Sequence, residues 1–215
     1  MESENKDLLI KGLKKLNISF NDDVIQKIDS FIMLYTEWNR NINISAIRGE
    51  KEIIIRHVLD SLTPISFLKS MGLWNYNAKY IDLGTGGGLP GIMLKIIDSK
   101  LPIDLGEVSK KKICFLKEVI LHLSLSNVEI IDSSVAKVKE VYHYVFVRAF
   151  GSLQKIVQES GIYINKGKII AYKGKKEKVI QELEGLSPTL KQHLIVQRIK
   201  VPFLDEERHL VIIQS

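Results

Sequence analysis

The chain has 215 residues, of which 45% are hydrophobic and 26% charged, as expected for one globular domain with a substantial core. Its one cysteine, Cys114, cannot form an internal disulfide, and neither a signal peptide nor an apolar run near the roughly 20 residues of a membrane span is recognisable, which favours a cytoplasmic protein without a membrane partner. The formal net charge of +6 is compatible with nucleic-acid binding.

Helical periodicity dominates the first 70 residues. Leucines at helical spacing predict a helix over residues 6–16, and a second is predicted from residue 21 or 22 to residue 39. A third stretch, residues 51–67, contains the motif RHVLDSL. So few helices cannot bury a core of their own, so we expect this extension to pack on the domain that follows.

From residue 79 onward, short apolar runs alternate with helical patterns. Alternation with short connections predicts an α/β fold with an open, mostly parallel sheet over residues 79–215. The predicted strands lie within residues 79–84, 103–108, 127–131, 144–150, 168–174, 193–201 and 209–214, and the predicted helices within residues 89–97, 110–123, 152–164 and 176–186.

Ligands of such sheets bind beyond the carboxyl ends of the strands. The polar residues that the pattern places at these ends are Asp82, Glu107, Arg148 and Lys173. We therefore look for the chemistry of the protein at this edge.

The segment IDLGTGGGLPG, residues 81–91, follows the first strand and opens a helix. Gly84 and Gly86 allow the backbone to approach a ligand closely. Glu107 closes the next strand, where nucleotide-binding folds place the carboxylate that binds ribose hydroxyls.

Three interpretations of this loop remain open from the residues alone. Gly86, Gly88 and Gly91 also match the spacing of a dinucleotide loop, as in a nicotinamide-dependent oxidoreductase. Asp82 is poorly placed next to a pyrophosphate but suits the cationic amino group of S-adenosylmethionine, so we favour a methyltransferase. The third interpretation is a ligand-free turn with a capping aspartate.

Several motifs in order along the chain carry a more specific signal. They are WNRNINISAI (residues 38–47), RHVLDSL (56–62), IDLGTGGGLPGI (81–92), SKKKICFLKEV (109–119), VRAFGSL (147–153), AYKG (171–174) and ERHLVII (207–213). In this set and order, the chain resembles the ribosomal small-subunit methyltransferase G family over nearly its whole length.

The resemblance implies a single-domain, Rossmann-like class I methyltransferase with a helical N-terminal extension. It implies methyl transfer from S-adenosylmethionine to N7 of a guanine in 16S ribosomal RNA of the small subunit. It also implies cofactor contacts at the positions of Gly84, Leu89, Val135, Ala136 and Arg148, and Glu107 matches the family's acid after the second strand.

One stretch departs from the family pattern. Where the family carries an arginine and then a glutamate, this chain has Ser134, Val135 and Ala136. A backbone contact to the adenine remains possible there, whereas any side-chain role of that glutamate is lost. This departure is the best support for the alternative of a non-catalytic RNA-binding protein that has kept the fold.

The residues agree with an unaided nucleophile as the target. Guanine N7 has a free lone pair, so its methylation requires alignment and electrostatics but no general base. The DPPY-type loop of exocyclic-amine methyltransferases is missing, since Arg148, Ala149 and Phe150 stand in its place. Cys114 is expected to be a buried structural thiol, which argues against cytosine C5 methylation; ribose methylation stays open.

We assign target positioning to Arg148, Phe150 and Lys173, although Phe150 also suits the core. Basic residues at the same edge are the candidate RNA contacts, with a solvated surface as the alternative: Lys110, Lys111, Lys112, Lys173, Lys175 and Arg208. The polar residues Asn39, Asn43, Arg56, His57 and Asp60 lock the extension to the sheet or contact RNA. We expect no metal site and a monomer.

Overall fold

The structure is a computed structural model that describes residues 1–132, 141–160 and 164–214. A seven-stranded sheet in the order β3-β2-β1-β4-β5-β7-β6 forms its centre. Within this described sheet, β7 runs opposite to the other six strands. The strands are β1 (Tyr80–Leu83), β2 (Ile103–Glu107), β3 (Ile130–Asp132), β4 (Tyr142–Arg148), β5 (Ile164–Lys173), β6 (Leu194–Ile199) and β7 (Arg208–Gln214). The predicted mostly parallel α/β sheet is thereby confirmed.

The register brings the four predicted polar strand ends to one edge. In β1, all four residues are buried, as expected for a central strand covered on both faces. Asp82 pairs in register with Leu105 of β2 and with Phe146 of β4. Arg148 pairs with Tyr172 of β5. The loops after β1, β2, β4 and β5 therefore adjoin one another.

Helices cover the sheet and build the extension. Those of the extension are α1 (Ser3–Lys15), α2 (Asp22–Ile42), α3 (Glu50–Ile53), α4 (Asp60–Leu62) and α5 (Ile65–Ser70), with a π-helical segment, Ile54–Leu59, joining α3 to α4. Those after β1 are α6 (Gly91–Ile97), α7 (Lys110–His122), α8 (Leu153–Ser160), α9 (Lys176–Glu184) and α10 (Pro188–Gln192). The sequence did not predict α10 or the π-helical turn.

The extension shares its core with one face of the sheet. Phe31 and Tyr35 of α2 belong to the same buried apolar cluster as Leu105 of β2 and Phe115 of α7. The rings of Tyr35 and Phe115 meet edge to face, with centroids 6.0 Å apart. The expected packing of the extension on the sheet is therefore seen directly.

Local capping explains where α2 begins. The side chain of Asn21 accepts a hydrogen bond from the backbone N–H of Val24 at 3.0 Å, which satisfies one donor of the first turn. At its other end, Asn43 adopts a left-handed conformation, with φ of +52°, and terminates the helix. The chain then turns toward the glycine loop.

Within the described part of the chain, no helix is both long enough and apolar enough to cross a membrane.

Gly12 lets α1 lie close to the π-helical segment, which gives a testable prediction. A Cβ at Gly12 would stand 2.5 Å from Cδ1 of Leu59, which is itself buried. Gly12→Ala should therefore destabilise the protein by about 1–3 kcal/mol through overpacking, despite the higher helix propensity of alanine. Urea unfolding measures this change.

Gly185→Ala is the matched control, because Gly185 ends α9 with φ of −75° and a Cβ there meets only atoms at 3.6 Å or beyond. We expect it to be neutral or slightly stabilising. Equal effects of the two substitutions would contradict the close approach at Gly12.

Candidate functional site

The glycine loop after β1 adopts a backbone conformation that requires glycine at several positions. Gly84, Gly86 and Gly88 have φ values of +67°, +60° and +81°, in the left-handed region that side chains disfavour. The carbonyl of Thr85 accepts hydrogen bonds from the N–H groups of Gly88 and Leu89 at 3.0 and 3.1 Å. The loop is therefore folded on itself before it enters α6.

Asp82 braces this loop from within the core. It is fully buried, and its Oδ2 accepts hydrogen bonds from Oγ1 of Thr85 at 2.6 Å and from the N–H of Gly91 at 2.8 Å. Its Oδ1 is buried without a hydrogen-bond partner among the described residues. Burial raises the pKa of Asp82 to about 6, although Thr85 and Gly91 oppose the rise. Contact with the cofactor amino group stays a prediction, and loop bracing is what the geometry shows.

Glu107 holds the same loop from the neighbouring strand. Its Oε2 accepts a hydrogen bond from the N–H of Gly86 at 2.9 Å, and its Oε1 accepts from Val108 and Ser109 at 3.0 and 2.8 Å. Both oxygens thus bind backbone donors, and the predicted contact with ribose hydroxyls stays a prediction. Carboxylates from two adjacent strands fix the loop together.

The two flanks of the loop are closed, whereas the side at Gly86 is open. A Cβ at Gly84 would lie 2.4 Å from the ring of Phe150, and one at Gly87 would lie 2.6 Å from both Tyr35 and Ile44. At Gly86 the nearest atoms are the Gly84 carbonyl oxygen and Nζ of Lys112, each at 3.9 Å. Free space therefore remains beside Gly86, with an ammonium at its margin.

Arg148, at the end of β4, reaches into the helical extension. Its Nη1 lies 3.7 Å from Oδ2 of Asp60 and donates to the carbonyl of Arg56 at 3.4 Å. Its Nη2 lies 3.5 Å from Nδ1 of His57. The side chain is 15% exposed, so the guanidinium is held in a largely enclosed position.

His57 is the neutral member of this group. Burial and the charge of Arg148 lower its pKa to about 4, so the ring is uncharged near neutral pH. Its Nε2 lies 3.1 Å from Oγ of Ser45, and its ring packs 5.4 Å from that of Tyr35. Its Nδ1 lies 3.2 Å from the carbonyl of Arg56, so an Nδ1–H tautomer donates to that carbonyl and leaves Nε2 to accept from the Ser45 hydroxyl.

Arg208 and Arg56 complete a polar cluster. Arg208 lies 3.5 Å from the same oxygen of Asp60 and donates to Glu206 at 3.1 Å. Arg56 pairs with Glu206 at 2.6 Å. Of the two interpretations of the extension's polar residues, these contacts favour the lock to the sheet. RNA contact by Arg208, whose side chain is 19% exposed, stays a prediction.

The predicted basic residues differ in their exposure and in whether they form ion pairs. Nζ of Lys173 pairs with Glu182 at 2.5 Å and donates to the Gly151 carbonyl at 2.6 Å, and its side chain is 10% exposed. The structure thus gives Lys173 a packing role, and its target or RNA contact stays a prediction. Lys110 pairs with Asp132, while Lys111 and Lys175 are exposed.

Cys114 and Leu89 lie on opposite sides of the boundary between solvent and core. Cys114 is exposed on α7, so the prediction of a buried thiol was wrong: residues 113, 115 and 116 face the core, and the helical period turns residue 114 outward. Leu89 is buried, and its contact with the cofactor stays a prediction. Val135 and Ala136 lie outside the described residues.

Sequence reasoning missed Thr85 as a partner of Asp82 and Ile44 as a wall of the loop. It named Asp60, Arg148 and Arg208 but did not predict that they contact one another, although they belong to the motifs RHVLDSL, VRAFGSL and ERHLVII. The joint presence of these motifs was the signal that could have linked them. Among the described residues, no group of three or more His, Cys, Asp or Glu side chains is placed to hold a metal ion.

Comparison with known proteins identifies the family. A family model described as rRNA small subunit methyltransferase G matches residues 24–211. The chain belongs to this family. A relative of that name from Thermoanaerobacter pseudethanolicus is 34% identical over 100% of this chain and 92% of its own. Another from Neisseria meningitidis is 30% identical over 99% of both chains.

Solved structures agree on the fold. A mutant of MtNAS in complex with S-adenosylmethionine has a TM-score of 0.56 at 14% identity, covering 88% of this chain and 75% of its own. A SAM-dependent methyltransferase from Aquifex aeolicus has a TM-score of 0.52 at 19% identity, covering 73% and 92%. The fold is therefore that of class I S-adenosylmethionine-dependent methyltransferases, with a helical N-terminal segment.

The buried carboxyl of Asp82 predicts a pH-dependent stability. Because its pKa is raised from 3.8 to about 6, the native state keeps a proton between these values that the unfolded state has released. The free energy of unfolding therefore falls as pH rises through this window, and above it the native protein carries a cost on the order of 3 kcal/mol.

Asp82→Asn removes this cost, since an amide oxygen can still accept from Gly91. The variant should gain stability relative to the native protein as pH rises from 4 to 7, measured by urea unfolding at each pH. Taking the difference between the two proteins cancels the other titrating groups. A difference that does not change with pH would contradict the raised pKa.

Proposed function

We propose that this protein transfers the methyl group of S-adenosylmethionine to N7 of a guanine in 16S ribosomal RNA, as a cytoplasmic, single-domain monomer. Family membership supports methylation of small-subunit RNA. The observation that carries the proposal is the glycine loop, which two buried carboxylates hold open at Gly86 beside the end of β4.

The residues at this edge fit S-adenosylmethionine. The free space at Gly86 admits a ligand close to the backbone, and no Cβ intervenes. The orphaned Oδ1 of Asp82 and the carboxylate of Glu107 suit a ligand with a cationic amino group and ribose hydroxyls, while neither favours a pyrophosphate. We assign cofactor binding to this edge: Asp82, Gly84, Gly86, Leu89, Glu107, Val135, Ala136 and Arg148.

The chemistry asks little of the protein beyond alignment. S-adenosylmethionine supplies an electrophilic methyl group on a sulfonium, and the N7 lone pair of guanine needs no deprotonation before it attacks. The protein's task is then to hold the purine and exclude water. Arg148, the last residue of β4, and Phe150, which follows the strand and lies against the glycine loop, are the groups that we assign to target positioning, together with Lys173.

RNA approaches the same edge. A cleft of about 610 Å³ lies between the loops after β4 and β5, and Phe150, Lys175 and Lys178 contribute to its walls. Phosphates bind such ammonium groups, and an aromatic ring can stack on an unpaired base. We assign RNA contacts to Lys110, Lys111, Lys112, Lys173, Lys175 and Arg208, with Lys112 nearest to the cofactor loop.

The direct test is methyl transfer from labelled S-adenosylmethionine to small ribosomal subunits from a strain that lacks this protein. The expected product, after nucleoside analysis, is 7-methylguanosine in 16S RNA. Label in another nucleoside would overturn the assigned atom. Cofactor binding without transfer to any small-subunit substrate would favour a non-catalytic RNA-binding protein, and binding of a nicotinamide nucleotide instead would favour an oxidoreductase.

Gly86→Ala tests the cofactor loop separately from the RNA. The new methyl group would occupy the free space at Gly86, so we expect the Kd for S-adenosylmethionine to rise about tenfold or more, which corresponds to about 1.4 kcal/mol. Isothermal titration calorimetry measures this change. Unfolding should become easier by about 1 kcal/mol, because φ at Gly86 is +60°.

Gly72→Ala is the matched control, because it introduces the same backbone strain at a position outside the proposed cofactor site. Its φ is +68°, and a Cβ there meets nothing within 4 Å. It should lower stability by a similar amount and leave the Kd unchanged. If both substitutions weaken cofactor binding alike, the loss comes from general destabilisation and the assignment of Gly86 fails.

A further inference from the structure

Asp60 is the meeting point of three distant chain segments. It begins α4 directly after the π-helical segment, and its side chain is 9% exposed. Its Oδ2 lies 3.7 Å from Nη1 of Arg148 and 3.5 Å from Nε of Arg208. One carboxylate oxygen from the helical extension thus holds two arginines, one at the end of β4 and one at the start of β7.

The two arginines depend on Asp60 to different degrees. Arg208 has a second carboxylate partner in Glu206 at 3.1 Å. For Arg148, Asp60 is the one carboxylate within salt-bridge distance among the described residues, and its other contacts are with uncharged groups, the carbonyl of Arg56 and the ring of His57. In the described part of the chain, Asp60 therefore provides the one ion pair that fixes the guanidinium of Arg148.

Arg148 lies next to the glycine loop, so a small displacement of its side chain would change the surroundings of the proposed cofactor site. It is followed by Ala149, with φ of +56°, and by Phe150, whose ring lies against Gly84 of the glycine loop. Its charge is close enough to Asp82 to lower the pKa of that carboxyl, against the larger effect of burial. The arginine and the base of the glycine loop hence share one electrostatic environment.

We propose that Asp60 is a positioning residue for methyl transfer. Its carboxylate fixes Arg148 at the carboxyl edge of the sheet, and Arg208 contributes a second positive charge opposite the same carboxylate. The inference rests on the proposed function. Asp60 itself contacts neither cofactor nor substrate, and it acts from the extension through the side chain of Arg148 in β4. The extension then contributes to catalytic geometry as well as to the core.

A purely structural role is the competing explanation. If Asp60 only ties the extension to the sheet, its loss lowers the melting temperature but leaves the turnover of each folded molecule unchanged. If it positions Arg148, turnover falls even where the fold is intact, because misplacing a group at a reacting centre by about 1 Å can reduce the rate by up to about a hundredfold.

The experiment compares Asp60→Asn, Arg148→Ala and the double variant, with small subunits as substrate. Asp60→Asn should lower kcat on the order of tenfold or more. Its KM for subunits should stay within about twofold, since dispersed basic residues set docking. In the Arg148→Ala background, Asp60→Asn should cost less than about threefold more, because the two residues act as one unit.

Ser61→Ala is the matched control. Ser61 neighbours Asp60 in the same helix, is fully buried, and its hydroxyl has no hydrogen-bond partner among the described residues. It should leave kcat unchanged. Asp60→Glu covers the case that Asp60→Asn does not fold: it keeps a charge opposite both arginines but moves the carboxylate by one methylene, so it should lower kcat with the fold intact.

A second readout does not depend on activity. In ¹⁵N spectra of the native protein, the Nη–H resonances of Arg148, assigned by their loss in Arg148→Lys, should be sharp and shifted because Asp60 contacts Nη1, and in Asp60→Asn they should collapse toward the free-arginine position. An unmoved resonance, or kcat of Asp60→Asn within about twofold of native, would overturn the proposal. If the native protein transfers no methyl group, the proposed function fails, and the spectrum alone still decides whether Asp60 fixes Arg148.

Discussion

The glycine loop depends on two carboxylates that have been removed from water. Asp82 binds the end of the loop at Gly91, and Glu107 binds its middle at Gly86. Each interaction replaces hydration that burial has taken away, and an uncompensated carboxylate there would be costly. The sheet order supplies this pair, because β1 and β2 are parallel neighbours whose ends meet at one edge.

The helical extension is part of that site and does more than cover it. Tyr35 and Ile44 contact the loop at Gly87, where a side chain would not fit. The same Tyr35 packs on His57, which lies beside Arg148. Side chains are therefore packed continuously from α2 through the loop to the end of β4. A shift of the extension would displace residues at the carboxyl edge of the sheet.

Much of the fold could be predicted because its signals are local. Strand ends, helix caps and the glycine loop are each written in a few adjacent residues, such as Asn21 before α2 and Gly86 after β1. The π-helical turn, Ile54–Leu59, was not predicted, since its hydrogen-bond pattern leaves no periodicity distinct from an α-helix over so short a stretch.

The pairing of charges could not be predicted, because it depends on packing between distant segments. Asp60 and Arg208 are 148 positions apart, and although their motifs occur together, neither motif specifies which side chains pair. Lys173 was assigned to RNA because strand-end lysines face the solvent edge, yet Glu182 of α9 lies within reach and neutralises it. Cys114 shows the same limit at short range, where one step of about 100° along a helix separates core from solvent.

The position of β7 has a consequence for the order of assembly. β6 precedes β7 in the chain but pairs within the described sheet only with β7, which itself lies between β5 and β6. β6 therefore cannot join the sheet before β7, whereas β7 can pair directly with β5. Arg208 opens β7, so the step that adds this strand to the sheet brings the second cation to Asp60. The last strands of the chain thus complete both the edge of the sheet and the charge balance at Asp60.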